Sequence, residues 1–392
     1  MSLNSKFIFW LIFLLLSFSK ISFANQKPVI IGVTVSLEGK YVEPSTMIRK
    51  SILFWVDEIN KKGGLLGRKV KLILYNDKSN KDLTRSLYKK LIEKDKVDFV
   101  FSPYSSPLTI VASEITEKYK MLMLGIAAAA EKPWQRNYQY LFQLYAPAKR
   151  QFIGLIDMMA RNNHRTLSIL YNDLSVFNRD IAYGIKEWAK LFKIDIVYQK
   201  SFKNGKKELP DILNEVKSKG AKGLILSAYP PDCYELLRLL KKMNYKPIIL
   251  GMPIVPAHPD FHKKAGVMSN FVFGPSQWEP DKRIPFPGSR AFVKGFTKFH
   301  GHLPSFHAAS AYAGCQILEK AIYSTKSLKN SKLREYIASL NTVTVLGRFK
   351  VDQTGKQVGH NSFIIQWQNG KKEIVWPRKM RTATPLIKKS KE

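Results

Sequence analysis

Cysteine, acidic residues and long apolar runs are all scarce in this sequence. With only Cys233 and Cys315 in 392 residues, a disulfide scaffold is excluded. One bridge between them remains open, but Cys315 sits in AAYAGCQILEKAI, whose apolar helical pattern reads as burial of a free thiol. Asp and Glu number 30 against 64 Lys and Arg, a formal net charge of +34. Such a surplus first suggests a nucleic-acid partner. The placement of the charges argues against one. Doublets at Lys61-Lys62, Lys89-Lys90, Lys206-Lys207, Lys241-Lys242, Lys263-Lys264 and Lys371-Lys372 are dispersed along the chain, not gathered in one groove or helix. They read as solvated surface, with long-range attraction to an anionic membrane or partner as the remaining consequence. Beyond the first residues, no segment free of charge reaches the roughly 20 apolar residues that span a bilayer.

Enzyme signatures are missing as well. There is no G-x-S-x-G elbow, no Walker A and no H-E-x-x-H. Gly63-Gly64-Leu65-Leu66-Gly67 follows a helix pattern, so it is a turn and not a dinucleotide loop. Pro259 breaks the His258/His262 spacing, and His300, His302 and His307 have no Cys or acidic residues near them in sequence. No catalytic residue, metal site or cofactor is therefore assigned.

What is present points to an exported, two-lobed molecule. Apolar residues make up 45% and aromatics 12%, enough for buried cores and too much for a disordered chain. The length suggests two domains or one bilobed molecule. Lys6, the apolar run Phe7 to Phe18 and the small residues of Ser22-Phe23-Ala24 form the three-part pattern of a cleaved secretory signal peptide over residues 1–24. No cysteine lies near the cleavage position, so a lipoprotein is not expected. Loss of Lys6 and Lys20 leaves +32.

Strand-length apolar runs then alternate with amphipathic helices. VIIGVTVSL (Val29 to Leu37) is a strand, Ser45 to Asn60 a helix, Val70 to Tyr75 a strand, and the alternation continues to a strand at Met121 to Leu124. A second unit with the same pattern follows a seam near Pro147 and runs to Pro247–Leu250. This predicts βαβ units and parallel sheets. Gly288 to Leu340 is mainly helical. Arg348 to Val351 and Ser362 to Trp367 are expected to pair through a turn at Gly355, and Arg378 to Glu392 reads as a frayed basic tail. In doubly wound sheets, ligands gather at the carboxyl ends of strands. That singles out Ser36–Tyr41, Ser102–Ser106, Gly125–Ala130, Asp173–Asn178, Ala228–Asp232 and Gly251–Val255.

EINKKGGLLGRKVKLILYNDKSN (Glu58 to Asn80), FVFSPYSSPLTIVASEI, HAASAYAGCQILEKAI and GRFKVDQTGKQVGHNSFIIQWQNG occur in that order. In these blocks the chain resembles the leucine/isoleucine/valine-binding family of periplasmic solute-binding proteins, over nearly all of Val29 to Pro377. The resemblance implies an α/β type I periplasmic-binding-protein fold: two doubly wound α/β lobes joined by three hinge crossings, near Ala146-Pro147, Gly274-Pro275 and Gly347-Arg348. Residues 25–146 and 275–347 would form lobe 1, and residues 147–274 and 348–377 lobe 2, with 378–392 as a basic C-terminal tail. Ligand would be trapped between the lobes by hinge closure.

The resemblance also implies the ligand-binding residues. Tyr104, Ser105 and Ser106 precede a helix whose N-terminus suits a carboxylate, although a serine there also serves as a cap. Ala127 and Ala129 match the next ligand loop. A hydroxyl residue usual in amino-acid-binding relatives is absent at Ala129, leaving the Ala127 C=O and the Ala129 N–H as ligand partners. Phe177 and Tyr229 match aromatic positions of the second lobe, and Trp278 would wall the cleft or pack the hinge. Pro253 stands where those relatives often carry a glutamate for the ligand ammonium. Asp173, Asp232 or Glu38 would have to substitute for it, so an amide, a small carboxylate or another amphiphile is open as the ligand.

The function implied is a periplasmic, monomeric, non-enzymatic substrate-binding protein of an ABC importer. It would capture a small amino-acid-like or amphiphilic solute and deliver it to a membrane permease, with no nucleic-acid partner. The alternative is a periplasmic ligand sensor for a signalling receptor. A secreted enzyme on the same fold is a third reading, and the lack of a nucleophile–base pair counts against it.

Overall fold

The computed structural model describes residues 27–281 and 283–387. In chain order the first half reads β1 (Val29–Val35), α1 (Val42–Lys61), β2 (Val70–Asn76), α2 (Lys81–Glu93), β3 (Phe99–Phe101), α3 (Ser106–Lys118), β4 (Met123–Gly125) and β5 (Leu141–Gln143). These strands form a parallel sheet in the order β2-β1-β3-β4-β5. Both of its faces are covered, which is why β1 reads as a near-continuous apolar run. Ile31 and Val33 join the large core with Ile48, Ile52 and Trp55 of α1. Ile30 packs on the opposite cluster around Tyr88, Leu91 and Trp134.

The second sheet takes α4 (Ile153–Arg161), β6 (Thr166–Asn172), α5 (Val176–Leu191), β7 (Asp195–Phe202), α6 (Gly205–Ser218), β8 (Gly223–Ser227), α7 (Pro230–Lys242), β9 (Ile249–Gly251), α8 (Phe261–Ala265) and β10 (Val272–Ser276). After β10 the chain returns to the first lobe as α9 (Ser289–His300), α10 (Phe306–Thr325), α11 (Asn330–Ser339) and the small pair β11 (Thr342–Thr344) and β12 (Gly347–Phe349). Ser51 of α1 anchors α10 there, its Oγ donating to Ala308 O at 2.6 Å. The strands β13 (Phe363–Gln368) and β14 (Lys371–Trp376) then complete the second sheet, in the order β14-β13-β10-β9-β8-β6-β7. The result is the expected two-lobed type I periplasmic-binding architecture.

Three details differ from expectation. First, Arg348 lies in β12, which pairs with β11, whereas Phe363–Gln368 pairs with β10 and β14. The turn at Gly355 is local. Asp352 Oδ1 accepts from Thr354 N–H (2.9 Å), Thr354 Oγ1 (2.6 Å) and Lys356 N–H (3.1 Å), closing a bridge between Val351 and Gln357. Gly355 has φ +79° and lies against the Leu141 carbonyl, so both its conformation and its close approach require glycine.

Second, this turn runs along the first sheet. Gln143 N–H donates to Gly355 O at 2.8 Å, and Gln357 N–H donates to Gln143 Oε1 at 3.1 Å. The chain therefore changes sheet between Gln357 and Phe363, not at Gly347-Arg348.

Third, the C-terminal segment is docked as far as Ile387. Gln366 exchanges two bonds with the Leu386 backbone, at 2.6 and 2.8 Å, and Gln368 Nε2 donates to Thr384 O at 2.8 Å. A side-chain amide presents a donor and an acceptor together, so it can hold a backbone segment as a strand would.

Cys233 and Cys315 are both free and buried, one in each lobe. Among the described residues no helix is long and apolar enough to cross a membrane. The signal-peptide segment 1–24 lies outside the described residues, as do 388–392 of the tail.

Candidate functional site

A small cavity lies between the lobes, at the carboxyl ends of the strands. Seven of the eight expected residues border it: Tyr104, Ser105, Ser106, Ala127 and Ala129 from the first lobe, and Phe177 and Tyr229 from the second. Phe177 is carried by the first turn of α5, and Tyr229 stands at the N-cap of α7. Both follow directly from strands whose ends face the other lobe.

Ser105 and Ser106 divide the work at the start of α3. Ser105, at φ +87°, accepts from Leu108 N–H at 3.5 Å and so caps the helix. Ser106 Oγ accepts from Ala129 N–H (3.2 Å) and Ala130 N–H (3.0 Å). Its own hydroxyl proton is what it has left to donate. The alanine loop is therefore held by protein contacts. Ala127 O accepts from Ser105 N–H at 3.2 Å, and Ala129 O accepts from Ala148 N–H at 2.8 Å. The Ala129 amide is thus engaged by Ser106, whereas the Ala127 carbonyl keeps a second lone pair for a ligand. With no hydroxyl on residue 129, the loop amides turn to Ser106.

Trp278 does not border the cavity. It is fully buried, donates from Nε1 to Ser289 Oγ at 3.1 Å, and meets Phe292 edge-on at 5.8 Å. It packs the second crossing against α9, because an indole this large with one donor is satisfied between a helix cap and an aromatic core.

Other residues complete the wall. Phe306 and His307, at the start of α10, stack at 3.9 Å between ring centroids and face Tyr145. Behind the wall, Tyr41 makes edge contacts with Tyr104 (5.7 Å) and Tyr229 (4.8 Å) without bordering the cavity itself. Gln277 fixes the hinge, its Oε1 accepting from Ala146 N–H at 2.7 Å. Ile254 borders the cavity at φ +65°, a conformation disfavoured for a β-branched residue and found mainly where a site demands it. The 36–41 loop containing Tyr41 was legible as a strand-end loop. Tyr145 and His307 gave no such signal, since one ends a strand and the other opens an apolar helix.

The electrostatics are simple. Among the described residues, no Asp, Glu, Lys or Arg borders the cavity. Burial pushes the Tyr41 hydroxyl up to about 12 and those of Tyr104, Tyr145 and Tyr229 well above the usual phenol value, so all four stay protonated. Burial lowers His307 to about 3, leaving a neutral imidazole. In a neighbouring interlobe cavity, the Lys40 ammonium lies over the rings of Tyr41 (5.2 Å) and Tyr229 (5.8 Å). The three carboxylates considered as ammonium partners are engaged elsewhere and do not border the cavity. Glu38 accepts from Asn76 (3.0 Å), Asp173 pairs with Arg179 (3.3 Å), and Asp232 accepts from Asn172 (2.8 Å). Glu43, in that neighbouring cavity, is paired with Lys264. Among the described residues no group of three or more His, Cys, Asp or Glu could hold a metal ion.

Comparison with known proteins agrees with this geometry. A family model described as periplasmic binding protein matches residues 28–372. The chain is similar to Leu/Ile/Val-binding protein homolog 8 of Brucella abortus (strain 2308), 24% identical over 353 residues that cover 85% of this chain and 87% of the relative. It is also similar to homolog 7 of Brucella suis biovar 1 (strain 1330), 22% identical over 343 residues, covering 82% and 84%. Among solved structures, the branched-chain amino acid transporter substrate-binding protein LivJ of Streptococcus pneumoniae, in complex with isoleucine, superposes with a TM-score of 0.81 at 19% identity, covering 90% of this chain and all of that one. A solute-binding protein of an ABC transporter from R. palustris, in complex with benzoate, gives 0.77 at 17% identity, covering 88% and 94%.

Proposed function

Because this chain belongs to the periplasmic binding protein family, we propose that it is the substrate-binding component of an ATP-driven importer and that its cleft takes a small organic acid lacking an ammonium group. Members of this family bind solutes for transport and catalyse no reaction. The observation that carries the ligand class is the absence, among the described residues, of any ionised side chain from the cavity wall, with Pro253 in the place of the expected glutamate. A buried ammonium without counter-charge or full hydrogen bonding is costly. A carboxylate is better served. It meets the Ser106 hydroxyl at the N-terminus of α3, where backbone amides and the helix dipole favour negative charge. The solved relatives include both an isoleucine and a benzoate complex, and the uncharged aromatic wall favours the benzoate-like class here.

In this account the mature protein is exported to the periplasm and works as a monomer. The lobes close over the acid about the hinge tied by Ala146 and Gln277. The closed form then docks on a membrane permease, and no bond is made or broken. A thermal-shift panel tests the ligand class, because a ligand that binds only the native state raises the melting temperature. Aromatic and branched aliphatic monocarboxylates should raise it. A rise with leucine, isoleucine or valine and none with any of these acids would overturn the proposal.

A further inference from the structure

We infer that Tyr145 and His307 form a subsite at the hinge end of the cleft that recognises a hydroxyl group on the acid. The inference rests on the organic-acid reading of the cleft and extends it to a second group on the ligand.

Tyr145 is 4% exposed, borders the cavity, and its hydroxyl has no hydrogen-bond partner among the described residues. Buried polar groups are almost always paired, and an unpaired one costs stability. Other unpartnered polar atoms, such as Ser102 Oγ, Ser168 Oγ and Trp134 Nε1, do not border the cavity. Tyr145 therefore differs from them in facing the space where a ligand would sit. Its position is fixed. The next residue, Ala146, is tied to Gln277, and the ring is held against Phe306 (5.6 Å) and His307 (6.3 Å).

His307 supplies the second half. Its Nδ1 faces Ser305 Oγ at 3.5 Å, which leaves Nε2 for a ligand. The ring is held between Phe306 and Tyr104, with centroids at 3.9 and 5.4 Å. A neutral imidazole offers one donor and one acceptor, and a phenol donates and accepts. A hydroxyl complements this pair because it can accept from Tyr145 and exchange a hydrogen bond with the imidazole. A second carboxylate or an ammonium would be buried without counter-charge, since among the described residues no ionised side chain borders the cavity. A methyl group would leave the Tyr145 hydroxyl unpaired. The fitting class is an acid with an apolar or aromatic body and a hydroxyl group.

Calorimetric titration of the wild type and of Tyr145→Phe with benzoate and 4-hydroxybenzoate tests this. The wild type should prefer 4-hydroxybenzoate by about tenfold or more, the scale of one well-made buried hydrogen bond against a lost one. Tyr145→Phe should lose that preference and bind the two acids with equal affinity. Its ligand-free melting temperature should not fall, because the hydroxyl it removes is unpaired. His307→Gln should reduce the preference in the same direction. Equal affinities of the wild type for the two acids, or a preference that survives in Tyr145→Phe, would overturn the subsite alone. Binding of neither acid by the wild type would overturn both the organic-acid reading and the subsite built on it.

Discussion

Tyr41 of the first lobe and Tyr229 of the second meet edge-on across the cleft, their ring centroids 4.8 Å apart. Tyr104 completes the cluster, 5.7 Å from Tyr41 and 6.5 Å from Tyr229. Two of these three contacts join residues of different lobes and exist only when the lobes are together. On the proposed closure mechanism, these contacts supply part of the closing energy and the ligand the rest. Edge contacts of this kind are worth roughly 0.5–1.5 kcal/mol each beyond the area they bury.

Removing one partner should favour the open form. Tyr41→Ala is expected to increase the radius of gyration of the ligand-free protein in small-angle scattering and to weaken ligand binding roughly 3–10-fold. Tyr41→Phe, which keeps the ring, should retain most of the affinity. Unchanged scattering and affinity in Tyr41→Ala would mean that the cluster does not bias closure.

Ser106→Ala should do more than weaken binding. Its Oγ holds the amides of Ala129 and Ala130, so the variant leaves two buried N–H groups unpaired. A loss of about 1–3 kcal/mol in urea unfolding is expected, alongside reduced ligand affinity. A binding defect at unchanged stability would show that the serine is free to serve ligand alone.

Trp278→Phe separates the hinge from the cleft. The indole bond to Ser289 and the contact with Phe292 are lost or loosened, which should cost roughly 1–3 kcal/mol of stability. Ligand affinity measured by calorimetry should stay within about twofold. A large affinity loss at unchanged stability would return Trp278 to the cleft wall.

Three buried histidines set a pH dependence. Burial lowers His258 to about 2, His307 to about 3 and His360 to about 4, from an ordinary 6.5. The unfolded chain takes up protons at these sites below 6.5, while the folded chain does not until the lowered values are reached. Their contribution is therefore fully present above pH 6.5 and is lost as pH falls toward about 4 for His360, 3 for His307 and 2 for His258, by up to about 1.4 kcal/mol per pH unit for each. Urea unfolding at pH 7.5 and 5.0 should show a smaller acid loss in His360→Gln than in the wild type. Equal losses in the two proteins would contradict the assignment.

Much of the architecture was legible because parallel strands covered on both faces are apolar along nearly their whole length, as Val29 to Val35 is. The cleft loops were legible for a related reason, since doubly wound sheets gather their loops at the strand ends. What could not be read was set by contacts distant in sequence. Tyr41 and Tyr229 are 188 positions apart and meet only through lobe closure. Tyr145 and His307 meet only because α10 returns to the first lobe after the second has been built. The position of the third crossing depends on the Asp352 turn docking on β5, and the tail is held by the side chain of Gln366. Neither interaction has a periodic signature.

The central claim is that the cleft selects an organic acid without an ammonium group. Calorimetric titration of the mature protein, stripped of co-purified ligand by unfolding and refolding, with benzoate and with leucine tests it most directly. The account predicts saturable binding of benzoate and no measurable binding of leucine. Saturable binding of leucine with none of benzoate would contradict it.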